Sequence, residues 1–298
     1  TDEDTAVPID VLANDSDVDG NLVVEQLLVP TPPDHGTTEV DTETGVITYI
    51  PDPDFNGVDS FEYRVFDDGS PLPSLASMAS VTVTVHPIND APDTADDTTT
   101  TEEDTAVVVN VLANDTDVDL GSGPVPETVQ VTSPPSNGVA TVDPETGAIT
   151  YAPAADFNGP DALTYTVTDD GMDNGTALQP LSASATLDIT VDAVNDAPDT
   201  IDDIGTTEED QPITVDVLAN DSDRDPGGAL VPDTVVVSTA PANGATSVDP
   251  ATGAITYTPN EHFNGGDSFR YEVTDNGMDT GNELAAETSS ALVTITIT

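Results

Sequence analysis

The sequence predicts an all-β chain built as three tandem antiparallel β-sandwich domains. Three observations predict it: one segment occurs three times, apolar residues alternate with a period of two, and turn residues interrupt the chain at short intervals. The segment Asp2-Glu3-Asp4-Thr5-Ala6-Val7, followed by Val11-Leu12-Ala13-Asn14-Asp15-Ser16-Asp17-Val18-Asp19, returns as EEDTAVVVNVLANDTDVD over 102–119 and as EEDQPITVDVLANDSDRD over 208–225. Asn14 and Asn114 are 100 residues apart, and Asn114 and Asn220 are 106 apart. That period exceeds the 20–50 residues of solenoid and propeller repeats and is the size of one small domain. The boundaries fall at 1–90, 91–196 and 197–298.

Each element has its own signature. Val81–Val85, Leu187–Val191 and Val293–Ile297 alternate apolar and polar residues, as a strand does with one buried and one wet face. The preceding strand carries Tyr63, Tyr165 or Tyr271. Asn-Gly or Asp-His-Gly turns (34–36, 137–138, 243–244) precede an Ile-Thr-Tyr strand (47–49, 149–151, 255–257), and then comes Phe-Asn-Gly (55–57, 157–159, 263–265). The loop holding Asp-Asp-Gly or Asp-Asn-Gly is longer in the second and third copies than in the first. With 25 prolines and 21 glycines at turn positions, and no amphipathic helix, about seven short strands per copy form a sandwich. Tyr63 stands where a tyrosine corner would. Asn-Asp-Ala-Pro marks both junctions, at 89–92 and 195–198. The chain starts just after this tetrapeptide and stops just before its next return, so it reads as an excised piece of a longer array.

Charge excludes several functions. Three cations, Arg64, Arg224 and Arg270, face 58 acids, for a formal charge of −55. Nucleic acid and anionic lipid both need basic contacts, so neither is a partner. No apolar run approaches a membrane span. Without cysteine there is neither a disulfide nor a thiolate metal site. His35, His86 and His262 do not recur at equivalent positions, and no repeated nucleophile–base pair exists, so the chain is not expected to be an enzyme. Asp54 with Asp59 reads as a metal or turn pair rather than as catalytic carboxylates.

The acids fall in loops at fixed offsets in every copy. Two carboxylates ~4 Å apart repel by about 4 kcal/mol at an effective dielectric of 20. Several such pairs at one end of a domain need a cation, and calcium takes six to eight oxygens. Two alternatives stay open here: Asx side chains bonding their own turns, and a general surface adaptation to salt. An EF-hand is excluded, because its twelfth position, a glutamate in that motif, is Gln26, Pro126 or Pro232.

These residues resemble the cadherin repeat, and more closely the cadherin-like tandem repeats of giant bacterial surface adhesins. The matching segments are an early Glu103, Val111-Leu-Ala113-Asn-Asp115-Thr-Asp117, Asp67-Asp-Gly69-Ser-Pro71, and Asn89-Asp90-Ala91-Pro92. The resemblance implies Ig-like sandwiches in an elongated rod, with Ca2+ held between domains. Carried over, the first junction uses Glu3, Asp54, Asn89, Asp90, Asp115, Asp117 and Asp169. The second uses Glu103, Asp156, Asn195, Asp196, Asp221, Asp223 and Asp275. Asp15, Asp17 and Asp67 form a half-site. The family's Asp-Arg-Glu motif is missing, and Asp119 and Asp225 extend the Asp-x-Asp run.

The function expected is an extracellular stalk on a cell surface, stiffened by Ca2+ between neighbouring repeats of the same chain. At ~3.3 Å per residue, strands of roughly ten residues give about 35 Å per domain. The alternative is self-assembly into a fibre or homophilic adhesion through homotypic contacts. The loops around Met172-Asp173-Asn174 and Met278-Asp279-Thr280 are its candidate surface.

Overall fold

A computed structural model describes residues 1–69 and 73–298. Ser70 and Pro71 of the matching Asp-x-Gly-x-Pro segment lie outside the described residues. Copy one holds β1 (Val7–Asp10), β2 (Leu22–Thr31), β3 (Gly36–Val40), β4 (Val46–Pro51), β5 (Gly57–Asp67) and β6 (Ala76–Val85). Copy two holds β7 (Asp97–Glu102), β8 (Val107–Val109), β9 (Pro124–Ser133), β10 (Gly138–Val142), β11 (Ile149–Pro153), β12 (Gly159–Asp169), β13 (Met172–Asp173), β14 (Thr176–Ala177) and β15 (Ser182–Asp192). Copy three holds β16 (Asp203–Thr207), β17 (Ile213–Val215), β18 (Leu230–Thr239), β19 (Gly244–Val248), β20 (Ile255–Pro259), β21 (Gly265–Asp275), β22 (Met278–Asp279), β23 (Asn282–Glu283) and β24 (Thr288–Ile297). No helix occurs among the described residues.

Each copy packs two sheets face to face. In copy two the orders are β7-β15-β12-β9 and β10-β11-β8, in copy three β16-β24-β21-β18 and β17-β20-β19, and in copy one β2-β5-β6 and β1-β4-β3. The alternating strands pair as their patterns predict: β12 runs antiparallel to β15 from Gly159–Val191 to Thr168–Ser182. Their inward residues Leu163, Tyr165, Val167, Leu187, Ile189 and Val191 meet Ile149 and Tyr151 of the other sheet in one buried cluster. Copies one and three have separate equivalent clusters.

Three features depart from the expectation. β7 runs parallel to β15, from Asp97–Leu187 to Glu102–Asp192, and β16 runs parallel to β24. In copy one the counterpart is a single parallel bridge between Asp2 and His86. The polar Asp-Thr-Thr-Thr-Thr-Glu run of β7 has no apolar stripe, and β16 reads Asp-Ile-Gly-Thr-Thr, but their β-branched residues suit a pleated edge. The glycine of the Asn-Gly pair is not a turn residue either. Gly138 begins β10, and a side chain there would come within 2.5 Å of the Tyr151 ring, as one at Gly244 would approach Tyr257 within 2.4 Å. Close approach, not a positive φ, requires glycine.

Nor is the tyrosine of β5, β12 and β21 a tyrosine corner. Tyr165 donates its hydroxyl proton to Val111 O at 2.9 Å, 54 residues upstream, and lies 3.3 Å from an Asp115 oxygen and 3.1 Å from one of Asp97. Tyr63 joins Val11 O and Asp15, and Tyr271 joins Val217 O and Asp221. The tyrosine thus pins the acidic loop after the second core segment to the centre of the sheet. Tyr165→Phe leaves those acceptors without their donor. We expect it to lower the unfolding free energy of that copy by about 1–3 kcal/mol, read from urea denaturation.

Candidate metal centres at the junctions

Five short segments converge where copy one meets copy two. Copy one supplies Glu3 and Asp4 before β1, and Asp54 and Asn56 before β5. The linker supplies Asn89 and Asp90, and copy two supplies the 115–119 loop and the β13–β14 hairpin. Carboxylate oxygens of Glu3, Asp119 and Asp173 lie within 4.8 Å of one another, as do those of Asp4, Asp54 and Asp90; at the second junction Asp104, Asp156 and Asp196 do the same. Glu3, Asp119 and Asp173 are all buried. Their equivalents Glu103, Asp225 and Asp279 are also buried.

Backbone geometry sets the outer group. Asp4, Asp54, Asp104 and Asp156 all have φ between 54° and 57°, a left-handed conformation that aspartate tolerates better than most residues. Asp4 Oδ1 accepts the Asp54 N–H at 3.3 Å, and Asp104 Oδ1 accepts that of Asp156 at 3.3 Å. In copy three the partners are Asp210 and His262, again both with positive φ, joined by the His262 N–H at 2.8 Å.

The linker is bound from both sides. Ile88 N–H donates to Glu3, and Val194 N–H to Glu103. Asp90 N–H donates to Asp119 Oδ2 at 3.0 Å, and Asp196 N–H to Asp225 Oδ2 at 2.9 Å. Asn89 Nδ2 donates to Asp169 Oδ2, and Asn195 Nδ2 to Asp275 Oδ2, both at 3.0 Å. That leaves acceptors with nothing to accept. Asn89 Oδ1, Asn195 Oδ1 and Asp223 Oδ2 are buried and have no hydrogen-bond partner; among the described residues the other such atom is Asp203 Oδ2. A buried oxygen without a donor is costly in an apolar interior, but it is a ready ligand for a hard cation.

The predicted ligands divide into groups. Glu3, Asp54, Asn89 and Asp90 gather at the first junction, and Glu103, Asp156, Asn195 and Asp196 at the second. Asp169 and Asp275 reach the linker asparagines while accepting the N–H groups of Gly171 and Gly277. Asp117 and Asp223 accept the N–H groups of Asp119 and Asp225. Asp115 and Asp221 are not among the clustered acids: besides the tyrosine, Asp115 accepts Ala95 N–H at 2.9 Å and Asp221 accepts Ile201 N–H at 2.8 Å. Asp15 is likewise held by Tyr63, while Asp17 and Asp67 line one small surface cavity with Asp19 and Asp68. The third acid of each triplet, Asp119 or Asp225, takes the inner position. Asp173 and Asp279 were missed as junction acids, although Met-Asp-x-Gly recurs 106 residues apart, at 172–175 and 278–281.

Crowding shows in the proton affinities. Burial pushes Asp119 up to about 6, neighbouring Asp117, Asp173 and Asp90 add to it, and the Asp90 N–H opposes it. Asp225 rises to about 6 for the same reasons. Glu3 and Glu103 are raised by burial against their backbone and asparagine hydrogen bonds. Asp90 and Asp196 are raised by burial and by the surrounding acids; Arg224 partly offsets the rise at Asp196.

Residues 89–193 and 195–298 match the bacterial cadherin-like domain, which covers more than half of the chain. The chain belongs to the bacterial cadherin-like family. Residues 1–86 match the bacterial Ig domain, which shares the sandwich architecture. Among solved structures, mouse Cadherin-23 EC22-24 superposes with a TM-score of 0.50 at 20% identity, covering 96% of this chain and 88% of that one. Mouse clustered PcdhgC3 EC1-3 gives 0.45 at 18%, covering 92% and 90%. The protocadherin GammaB4 extracellular domain gives 0.45 at 16%, covering 92% of this chain and 45% of that one. The first of these likenesses carries the fold: a series of sandwiches elongated like cadherin repeats. Such cadherin-like repeats are structural modules, and bacterial cadherin-like and Ig domains are typical of extracellular surface proteins. No helix among the described residues is long and apolar enough to cross a membrane.

A carboxylate whose folded pKa is raised favours the folded, closed junction below its unfolded value near 3.8, and this contribution is lost as pH rises through about 6. Ion-free chain is therefore expected to be stiffer at pH 5 than at pH 7.5 in small-angle scattering. Replacing Asp119 and Asp225 by Asn should shrink that pH response.

Proposed function

We propose that the chain is a stalk segment of an extracellular adhesin, divided at 1–90, 91–196 and 197–298, whose junctions are locked by calcium. The observation that carries this reading is the recurrence, at both junctions, of buried acid groups beside buried oxygens that have no donor. The donor set is all oxygen, drawn from carboxylates and amide carbonyls, and contains no thiolate. That favours a hard cation over zinc. Calcium tolerates irregular sets of six to eight oxygens, whereas magnesium demands near-ideal octahedral geometry, which loops from two domains and a linker do not readily supply.

At the first junction the ligands proposed are Glu3, Asp4, Asp54, Asn89, Asp90, Asp117, Asp119 and Asp173, with Asp169 positioning Asn89. At the second they are Glu103, Asp104, Asp156, Asn195, Asp196, Asp223, Asp225 and Asp279, with Asp275 positioning Asn195. A bound cation would offset the repulsion among these acids and make the closed arrangement the low-energy one. Without it, repulsion should open the short linkers. The alternative reading, fibre assembly or homophilic contact, would use the exposed tips of the two Met-Asp hairpins, 174–177 and 280–283, whose acids Asp173 and Asp279 are themselves buried.

Small-angle scattering of the 1–298 chain tests this reading. With calcium, the profile should be that of a long rigid particle; with excess chelator it should broaden into a distribution of bent forms. Asp90→Asn with Asp196→Asn should raise the calcium concentration needed for rigidity. An identical profile with and without calcium would refute the lock.

A further inference from the structure

Phe-Asn-Gly and the Met-Asp hairpin are unexplained by the sandwich itself, and at both junctions they meet. Asn56 Nδ2 donates to Glu3 Oε2 of its own copy at 3.3 Å and also to Asp173 of the next copy. Asn158 Nδ2 donates to Glu103 Oε2 at 3.3 Å and to Asp279 Oδ2 of the next copy at 2.6 Å. One neutral amide group, with two N–H bonds, thus holds together two buried carboxylates from consecutive domains. An aspartate there could not donate, and would add a third charge.

The hairpin is built to present that acid. Residues 174–175 and 280–281 all have positive φ: Asn174 46°, Gly175 78°, Thr280 45° and Gly281 84°. Positive φ at both central residues is the two-residue type I′ turn, for which Asn-Gly is preferred. Thr280 is β-branched, so its conformation is strained, and such strain persists only where the surroundings impose it. Here the neighbouring loop imposes it. Asn174 N–H donates to Leu120 O at 2.9 Å, and Thr280 N–H to Pro226 O at 2.8 Å. Leu120 N–H in turn donates to Asp173 Oδ1 at 3.1 Å. The hairpin is tied to the loop that also carries Asp119 or Asp225. Asn174 Nδ2 adds a second contact across the first junction, to Asn56 Oδ1 at 2.9 Å.

Copy one differs. Its loop closes from Asp67 to Leu75, a separation of eight residues, where copies two and three span twelve from Asp169 to Leu181 and from Asp275 to Glu287. It has no counterpart of the Met-Asp-x-Gly segment.

We infer that the Phe-Asn-Gly asparagine and the hairpin aspartate form an interdomain clasp that sets the docking angle of consecutive repeats. The partner that fits the hairpin is the Phe-Asn-Gly loop of the preceding repeat. A repeat with the short loop lacks the Met-Asp-x-Gly acid, so the clasp as built here belongs to repeats that carry the longer loop. The clasp deepens the junction reading given above, and its asparagine is not among the proposed cation ligands, so variants at Asn158 test it apart from the ion.

The absence of cysteine allows two spin labels to be placed cleanly, at the exposed positions Val139→Cys in copy two and Val236→Cys in copy three. Pulsed dipolar distances would be recorded with calcium and with chelator for the parent, Asn158→Ala, Asp279→Ala, the double variant and Asn158→Asp. In calcium, Asn158→Ala should lower the closed-to-open ratio by about tenfold, the size expected for losing a hydrogen bond to a charged group, and Asp279→Ala, which also removes a proposed cation ligand, should lower it at least as far. The double variant should be no worse than the poorer single one, because the two side chains act as one unit. Asn158→Asp should open the junction further than Asn158→Ala. Parent-like distances in all variants, or additive effects of the two alanine changes, overturn the clasp. A parent distribution indifferent to chelator, with Asn158→Ala still broadened, overturns the calcium lock and leaves the clasp standing.

Discussion

Carboxylate crowding is the constraint on which the rest of the molecule depends. Each junction collects acids from two domains and a linker in a chain with only three cations. Of these, Arg224 alone sits near a junction cluster, where it pairs with Asp199 at 2.9 Å and eases Asp196. The chain spends its available donors on the problem first. Backbone N–H groups of Ile88, Asp90, Val194 and Asp196 face the buried acids, and the asparagines at 56, 89, 158 and 195 donate side-chain amides. Among the described residues, Asn89 Oδ1, Asn195 Oδ1 and Asp223 Oδ2 remain buried without a donor, near the clustered carboxylates.

The sandwich matters to the junction because it holds the acids in place through contacts of the chain itself. Tyr63, Tyr165 and Tyr271 tie the acidic loop to the sheet, and the hairpin ties its own acid to the same loop. The three hydrophobic clusters are separate, each drawn from one copy. Apolar burial therefore makes each bead, while polar and electrostatic contacts dominate how one bead is set on the next. Beads should be robust and junctions sensitive to ions, pH and salt, since screening acts within about 10 Å at 0.1 M.

Much of this was legible in the sequence, because repetition supplied three readings of each element. Period-two alternation fixed β6, β15 and β24, and Asn-Asp-Ala-Pro marked where copies meet. The parallel strand at Asp97–Glu102 was hidden, since six polar residues in a row give no burial signal and only the neighbouring β15 makes them a strand. Position within Asp115-Thr-Asp117-Val-Asp119 was hidden too. Equal spacing makes the three acids alike on paper, while Tyr165 claims the first and the linker N–H the third. Asn174-Gly175 carried a hairpin signal of its own, yet that it faces Asn56, 118 residues away, depends on how two domains dock, which no local pattern encodes.

The central claim is that the junction acids are completed by a bound cation. Isothermal titration of chelator-treated 1–298 chain with calcium tests it most directly, with a variant carrying Asp90→Asn, Asp119→Asn, Asp196→Asn and Asp225→Asn as reference. Saturable binding of at least one ion per junction is expected, with proton release at pH 6 as Asp119 and Asp225 lose their protons, and its loss in the variant. Binding absent, or unchanged in the variant, would contradict it.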